Sequence, residues 1–300
     1  GVQRADAATR DALPRLENGA QKRTRTSTSL RTLAPEASAS TNSAIWAQKR
    51  RTAPEEGERV RERGEGVNLR SSVWGLGVLN RPTMTRRLSL TLDGRNIAVH
   101  LHKHDLPADV AFGPVLAIDT ETLGLSLMRD RLCLVQMWDG QGDIHLVQLN
   151  RDDYDAPNLV RVLSDDSILK LFHFARFDVA MIGRDLGVVC TPLYCTKIAS
   201  KLVRTYTDKH GLKDVVKELT GKDISKDQQS SDWGAAELTD AQLAYAASDV
   251  LHLHAVKDKL DAMLAREGRA GLAESCFQFI PTRAALDLAG WEEQDIFAHS

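Results

Sequence analysis

The stretch VLAIDTETLG, residues 115–124, combines an apolar strand with two carboxylates and determines the fold prediction. Its first four residues are apolar, as expected for a strand that is buried on both faces. Asp119 and Glu121 follow, and residues two apart in a strand point to the same face, so their carboxylates should lie close together. Such a pair either shares a proton or holds a cation. A lone Asp-x-Glu more commonly ends a strand with a solvated Glu. The assignment of Asp119 and Glu121 to a functional site therefore depends on the rest of the chain.

Charge divides the chain into two unlike parts. Residues 1–83 contain 15 Lys/Arg and 9 Asp/Glu, whereas residues 84–300 contain 24 and 32. The first part is rich in Arg, Ser and Thr without a sustained apolar period, which predicts a disordered or non-native leader. Residues 84–300 are predicted to form the folded domain, with a packed C-terminal tail. The net negative charge of this domain disfavours broad binding of duplexes through charge alone.

Two further features of the sequence concern membrane spanning and the redox state of the cysteines. The sequence contains no run of about eighteen apolar residues, so no contact with a membrane through a spanning helix is predicted. Its four cysteines lack the Cys-x-x-Cys spacing of zinc sites and have no suitably spaced histidines. Reduced thiols in a cytoplasmic protein are therefore expected.

The order of periodic segments predicts an α/β fold, with a mixed sheet flanked by helices. Asp93-Gly94 joins two alternating segments and is a strong hairpin signal. The carboxylate strand is followed by strand-like segments at 132–138 and 143–149, which predict an antiparallel meander. Helical periods occupy 177–186, 196–206, 212–219 and one long stretch from about Thr239, a predicted N-cap, to Arg266. The tail, 277–300, is too apolar to be free in solution.

Two more acids lie on predicted helices. Asp178 falls in the first turns of the helix after a short strand, and Asp249 lies one turn after Tyr245 on the long helix. Four carboxylates cannot converge without cations, and oxygen ligands without Cys or His favour Mg²⁺ or Mn²⁺. Two such ions would support phosphodiester hydrolysis. Glycoside hydrolysis by Asp119 and Glu121 needs only two acids and leaves the other residues unexplained.

The pattern Asp119-x-Glu121, Asp178 and Tyr245-x3-Asp249 resembles the tyrosine subtype of the DEDD 3′-5′ exonucleases, whose fold is ribonuclease H-like. Ala244 stands where the histidine subtype has His. More narrowly, the chain from about residue 96 onward resembles the short ribonuclease D-like enzymes called nano-RNase C. The segments that carry this resemblance are 118–124, 131–136, 195–202, 204–208, 228–233 and 291–300.

The resemblance implies a role for each site residue. Asp119 would bridge two ions, Glu121 and Asp249 would complete one ion site, and Asp178 would serve the other. Tyr245 would orient the attacking water, since its ordinary pKa near 10 makes it a poor base. Leu123 resembles the leucine that wedges between two terminal bases. The predicted substrate-binding residues are Thr122, Leu123, His173, Lys197, Arg204, His210, Gln228, Gln229 and Ser230.

Taken together, these features predict a metal-dependent 3′-5′ exoribonuclease that hydrolyses short RNA oligonucleotides and dinucleotides to 5′-mononucleotides by a two-metal mechanism. The expected partners are short RNA, or DNA, 3′ ends, and the resemblance implies a homo-oligomer that assembles through the C-terminal region. Two alternatives stay open: ribonuclease D-like trimming of structured RNA or DNA 3′ ends, and a nucleic-acid-binding module without turnover. A solvated helix face is also a sufficient explanation for any single lysine.

Overall fold

The structure, a computed structural model, describes residues 85–225 and 227–299. The predicted leader, 1–83, lies outside the described residues. The described part begins with a hairpin of β1, Thr85–Leu92, and β2, Arg95–Lys103. Asp93 and Gly94 form its turn with φ angles of 52° and 74°, the left-handed region that a tight hairpin turn requires. The predicted hairpin is therefore confirmed.

The sheet contains seven strands in the order β1-β2-β5-β4-β3-β6-β7. Strands β3, β4 and β5 pair antiparallel, which confirms the predicted meander. Strand β6 pairs parallel to β3, and β2 pairs parallel to β5, so the sheet is mixed, as predicted. The bounds of the remaining strands are β3 Val115–Thr122, β4 Leu132–Trp138, β5 Ile144–Gln148, β6 Leu169–Phe172 and β7 Leu193–Cys195.

Seven α-helices flank the sheet in the described ranges. Their bounds are α1 Pro157–Leu163, α2 Ala175–Leu186, α3 Thr196–Val203, α4 Leu212–Thr220, α5 Asp240–Leu251, α6 Leu253–Arg266 and α7 Ala270–Leu286. A π-helical turn, Asp287–Trp291, follows α7. None of the helices in these ranges has the length and apolar character needed to cross a membrane.

The prediction of a single long helix from Thr239 to Arg266 is wrong. The helix is interrupted at His252, and two helices, α5 and α6, form instead. His252, with φ −105° and ψ −5°, is the C-cap of α5 and the residue that precedes α6. The break lets α5 pack on β3, β4 and β5 while α6 packs on α3 and α4. The start was predicted correctly. Thr239 Oγ1 accepts a hydrogen bond from the Gln242 amide, and the Gln242 side chain accepts one from the Thr239 amide, a complete capping box.

Two other boundaries differ from the sequence expectation. The helix predicted to reach Tyr206 ends at Val203, because Arg204 leaves the helical conformation and buries its side chain. The first ten residues of the predicted C-terminal tail, 277–286, belong to α7, which begins before the tail. Phe277 and Leu288 pack into the core, whereas Phe297 is 74% exposed. The tail is therefore only partly covered by its own domain.

Candidate active site

Strand β3 presents Asp119 and Glu121 on one face, as its alternation predicts. Asp119 lies opposite Gln136 of β4 and Glu121 opposite Leu134. The pairing register shifts directly after Glu121, so the ordered ladder ends where the carboxylates reach the cleft. The two acids are thus carried on a paired strand, which fixes their spacing.

Helix α5 brings Asp249 to the same place. One carboxylate oxygen each from Asp119, Glu121 and Asp249 lie within 4.8 Å of one another. The helix can carry the acid there because its apolar residues pack on the sheet beneath. In the described part of the chain, this is the one group of His, Cys, Asp and Glu side chains with the geometry to hold a metal ion.

Asp178 is buried in the first turn of α2 and approaches the cluster from the neighbouring strand end. Its Oδ1 atom accepts a 2.6 Å hydrogen bond from the Thr120 hydroxyl. Asp178 is not one of the three acids whose oxygens lie within 4.8 Å of one another, but its charge contributes to the raised pKa of Glu121. All four predicted acids therefore border one site.

The electrostatics of the cluster are unfavourable without a cation. Burial raises the pKa of Asp119 to about 7. Burial and the charges of Asp119, Asp249 and Asp178 raise the pKa of Glu121 far above its usual range. The pKa values of Asp178 and Asp249 are raised by burial and by Asp119. An all-oxygen set of crowded carboxylates that holds protons in place of a cation fits a hard divalent ion.

Tyr245 lies beside these acids and stays protonated. Its phenol is partly buried, and burial together with the charges of Asp249, Glu121 and Asp119 raises its pKa. The Trp233 ring packs 6.0 Å from the Tyr245 ring, centroid to centroid, and holds it toward the cleft. A protonated phenol can donate a hydrogen bond to a water or a phosphate oxygen, but it cannot serve as a base near neutral pH.

The acids open into a cleft of about 640 Å³. Six of the predicted substrate-binding residues line it, namely Thr122, Leu123, His173, Lys197, Gln229 and Ser230. His173 Nδ1 pairs with Thr196 Oγ1 at 2.8 Å, and burial lowers the pKa of His173 to about 3, so the ring is neutral. The Thr122 hydroxyl donates to the Gly124 carbonyl at 2.6 Å and stabilises the turn after β3.

The other three predicted substrate-binding residues, Arg204, His210 and Gln228, do not line the cleft. Arg204 is wholly buried and donates to Glu218, to Ser200 Oγ and to the Lys209 carbonyl. These bonds occupy its guanidinium, so the expected phosphate contact is not supported by its position. His210 Nδ1 pairs with Ser200 Oγ at 2.9 Å, and Gln228 Oε1 accepts from Ser231 Oγ at 2.6 Å.

Three residues at the site were not assigned roles from the sequence. Thr120 holds Asp178, Trp233 supports Tyr245, and Phe174 lines the cleft with an exposed ring. Strand alternation places Asp119 and Glu121 on one face of β3 and directs Thr120 to the other face, toward α2. The contact between Thr120 and Asp178 could therefore have been predicted from the sequence. Phe174 and Trp233 lie in connecting segments, where no period specifies direction.

Comparison with known proteins gives a consistent result. A family model described as 3′-5′ exonuclease matches residues 101–265. Ribonuclease D of Gluconacetobacter diazotrophicus is 37% identical over 156 residues, which are 52% of this chain and 39% of that protein. The chain thus spans about two fifths of the length of the ribonuclease D proteins that it matches.

Solved structures of Brucella melitensis NrnC are similar along almost their whole length. The structure with bound Mg²⁺ is 53% identical with a TM-score of 0.64, covering 67% of this chain and 99% of that chain. The structure bound to pGG is 54% identical with a TM-score of 0.65, covering 67% and 98%. These similarities confirm the predicted ribonuclease H-like exonuclease fold and the predicted family resemblance.

Proposed function

The chain belongs to the 3′-5′ exonuclease family, and we propose that it is a metal-dependent 3′-5′ exoribonuclease acting on short RNA. Its proposed substrates are oligonucleotides and dinucleotides, which it hydrolyses to 5′-mononucleotides. The observation that carries the proposal is the convergence of Asp119, Glu121 and Asp249 within 4.8 Å, beside Tyr245, in a cleft of about 640 Å³. Asp178 borders the same cleft.

The cofactor that we propose is a pair of Mg²⁺ or Mn²⁺ ions per active site. Asp119, Glu121 and Asp249 would hold one ion, and Asp119 with Asp178 the other. Bound there, the ions would neutralise the carboxylates, lower the pKa of the attacking water and stabilise charge on the leaving oxygen. The raised pKa values of the four acids support this assignment, because protons occupy places that a cation would take.

The side chains of the chain itself would position the reactants. Tyr245 would hold the attacking water by a hydrogen bond from its phenol, in line with the phosphorus of the last phosphodiester. Attack breaks the bond between phosphorus and the 3′ oxygen of the preceding nucleotide, which releases a 5′-mononucleotide. Gln229 and Ser230 are exposed donors at the cleft and would bind a phosphate or a ribose. Lys197, also at the cleft, would add positive charge near the phosphates.

The preference for short RNA rests on the size of the cleft and on a relative. A cleft of this volume has the size of a site for a small ligand such as a dinucleotide, and NrnC was solved with pGG bound. Ribonuclease D-like trimming of structured RNA or DNA 3′ ends is the second candidate, favoured by the similarity to ribonuclease D. A binding module without turnover would not need four acids around one cleft.

The decisive experiment uses end-labelled RNAs of two to twenty nucleotides with Mg²⁺, Mn²⁺ or EDTA, followed by sizing of the products. We expect stepwise release of mononucleotides with either ion and none in EDTA. Asp178→Asn should lower kcat by about a thousandfold or more, because it dismantles part of the ion site. The exposed Asp258 provides a matched control, and Asp258→Asn should leave kcat unchanged. Undiminished hydrolysis in EDTA, or by Asp178→Asn, would refute the proposal.

We further propose a cytoplasmic homo-oligomer. The described cysteines are all free thiols, three of them buried, as expected in a reducing compartment. Five of the exposed large apolar side chains lie between residues 272 and 297, and we call them the C-terminal apolar patch: Leu272, Phe279, Trp291, Ile296 and Phe297. The Phe279 and Phe297 rings lie 5.9 Å apart, centroid to centroid. Clustered exposed aromatics are typical of a protein interface.

Light scattering tests the assembly. Phe279→Arg with Phe297→Arg should lower the mass measured for the full chain to that of a smaller species, while leaving Tm nearly unchanged. Met128 is 70% exposed and lies outside the patch, so Met128→Arg serves as the control and should keep the parent mass. A monomeric parent protein would refute the assembly outright.

A further inference from the structure

Phe174 has an unusual backbone for its residue type. It precedes the first residue of α2 with φ 71° and ψ 40°, in the left-handed region. Three described residues other than glycine have positive φ, and the other two are Asp93 and His104. Aspartate and histidine adopt this region more readily than a bulky aromatic residue, for which it is an outlier. Backbone strain of this kind persists chiefly at functional sites, so Phe174 is a candidate for a functional role.

Packing does not explain the ring. The Phe174 side chain is 42% exposed and is not part of the hydrophobic core, whereas Phe177, three residues later, packs against it. A glycine would satisfy the turn before α2 without strain. The chain therefore keeps an aromatic side chain at a position where neither the backbone nor the core requires one.

The position of the ring relates it to the acids. Strands β3 and β6 run parallel, with Ala117 paired to Leu171. Asp119 follows Ala117 by two residues and Phe174 follows Leu171 by three, so both emerge at the same edge of the sheet. Both line the cleft. The ring thus lies in the same cleft as the acids at which the phosphodiester would be cleaved.

One face of the ring already has a partner. The Lys197 ammonium lies 4.0 Å from the centroid of the Phe174 ring, a cation–π contact. Lys197 also lines the cleft. This contact fixes the orientation of the ring and places a positive charge behind it, while the remaining exposure leaves ring surface available to a flat partner. Aromatic faces bind nucleobases by stacking, whatever the base.

We propose that Phe174 is a specificity-determining residue whose ring stacks on a nucleobase of the substrate, with Lys197 holding the ring in place. The inference rests on the proposed function, because it takes a short nucleic acid as the ligand. It adds to that function a stacking site for a nucleobase in the cleft that holds the acids. Binding at this site depends on the presence of a base and hardly on its identity.

Phe174→Gly tests the role without endangering the fold, since glycine adopts φ 71° freely. On a dinucleotide we expect KM to rise about tenfold, as for the loss of one stacked base, with kcat within threefold of the parent value. Tm should be equal or higher. Phe174→Trp, which restores a stacking surface, should return KM toward the parent value, whereas Phe174→Leu should not.

Dinucleotides that lack the base at one position or the other provide the matched control. For one of the two analogues, parent and Phe174→Gly should have equal KM values, because the ring has no base to bind. A KM for Phe174→Gly within twofold of the parent on the intact dinucleotide would overturn the inference. So would an equal rise in KM on the intact dinucleotide and on both analogues, which would mean that the ring only shapes the cleft.

A binding measurement separates this inference from the proposed function. Calorimetry with the intact dinucleotide, Mg²⁺ and proteins carrying Asp178→Asn, with or without Phe174→Gly, reports binding without turnover. A roughly tenfold weaker Kd with Phe174→Gly supports the stacking site even if the parent protein hydrolyses no RNA. Equal Kd values refute the stacking site even if the parent protein is an active exonuclease.

Discussion

The Thr120 hydroxyl donates a 2.6 Å hydrogen bond to Oδ1 of Asp178, and this bond joins strand β3 to helix α2. Thr120 lies between Asp119 and Glu121 but points to the opposite face of the strand. The same strand therefore supplies two acids and orients a third. The bond stabilises the charged form of Asp178, against the burial that raises its pKa. Asp178 is thus held in a fixed direction before any ligand arrives.

Thr120→Val removes this hydroxyl while keeping the shape of the side chain. We expect kcat to fall about 10- to 100-fold, since hydrogen bonds to charged groups contribute about 1.5–3 kcal/mol. Steady-state hydrolysis of a dinucleotide measures the effect. Thr120→Ser keeps the hydroxyl and should retain most of the activity. If valine and serine behave alike, the hydrogen bond has no part in positioning Asp178.

The proximity of Asp119 to Glu121 and of Tyr245 to Asp249 was predictable, because periodicity specifies both pairs. Strand alternation places Asp119 with Glu121, and the four-residue spacing on a helix places Tyr245 with Asp249. Local sequence patterns also predicted the mixed sheet and the start of α5 at Thr239. Arg204 was predicted to bind phosphate because it belongs to a basic stretch of the sequence, whereas its burial involves an ion pair with Glu218, fourteen residues later, which that stretch does not indicate. The local sequence predicts neither the helix interruption at His252 nor the positive φ of Phe174. Tertiary packing determines the first, and the turn that leads into α2 determines the second.

The acid cluster should make the metal-free protein less stable as the pH rises. The pKa of Asp119 is raised to about 7 in the folded protein, compared with about 3.9 in an unfolded chain. The folded state therefore holds a proton that the unfolded state releases. This contribution to stability is complete below about pH 4 and is lost as the pH rises through about 7. We expect the Tm in EDTA to fall by several degrees between about pH 5 and pH 8, measured by scanning calorimetry.

Added Mg²⁺ should reverse this trend, because a cation that replaces the proton binds better when the acids are ionised. The rise in Tm caused by Mg²⁺ should thus be larger at pH 8 than at pH 5. Glu121→Gln removes one of the repelling acids and should flatten the pH dependence in EDTA. A Tm in EDTA that rises steadily over this interval would contradict the prediction.

Arg204 should be important for stability rather than for substrate binding. Its side chain is 1% exposed and pairs with Glu218, whose side chain is 40% exposed. Arg204→Met leaves the Lys209 carbonyl without its donor and removes one partner of Ser200 Oγ, and a buried polar group left unsatisfied costs about 1–3 kcal/mol. We expect Tm to fall clearly, while KM measured well below the new Tm changes by less than about threefold. The exposed Lys201 is the control, since Lys201→Met should leave Tm unchanged. A raised KM with an unchanged Tm would restore Arg204 as a substrate-binding residue.

Leu123 should determine the preference for substrate length. Its amide donates to the Arg131 carbonyl at 3.1 Å, so its backbone is fixed, while its side chain is 52% exposed at the cleft. A side chain held in this way can wedge between two bases. Leu123→Ala should therefore cost about 1–3 kcal/mol of transition-state stabilisation on a dinucleotide, comparable to losing a stacking contact. A twenty-nucleotide RNA, which gains binding from further nucleotides, should lose less.

The ratio of kcat/KM between Leu123→Ala and the parent, measured on both substrates, tests the wedge. Gly234 offers a second way to disturb the same side chain, because a Cβ added there would stand 2.5 Å from Leu123 Cδ2. Gly234→Ala should displace the leucine and give a smaller loss with the same dependence on length. The rival mechanism is tracking of the backbone along Lys197, Lys201 and Lys213. It predicts rates that rise steadily with length in the parent enzyme and a steep loss of affinity with salt. Equal losses on both substrates would contradict the wedge and leave a general 3′ exonuclease.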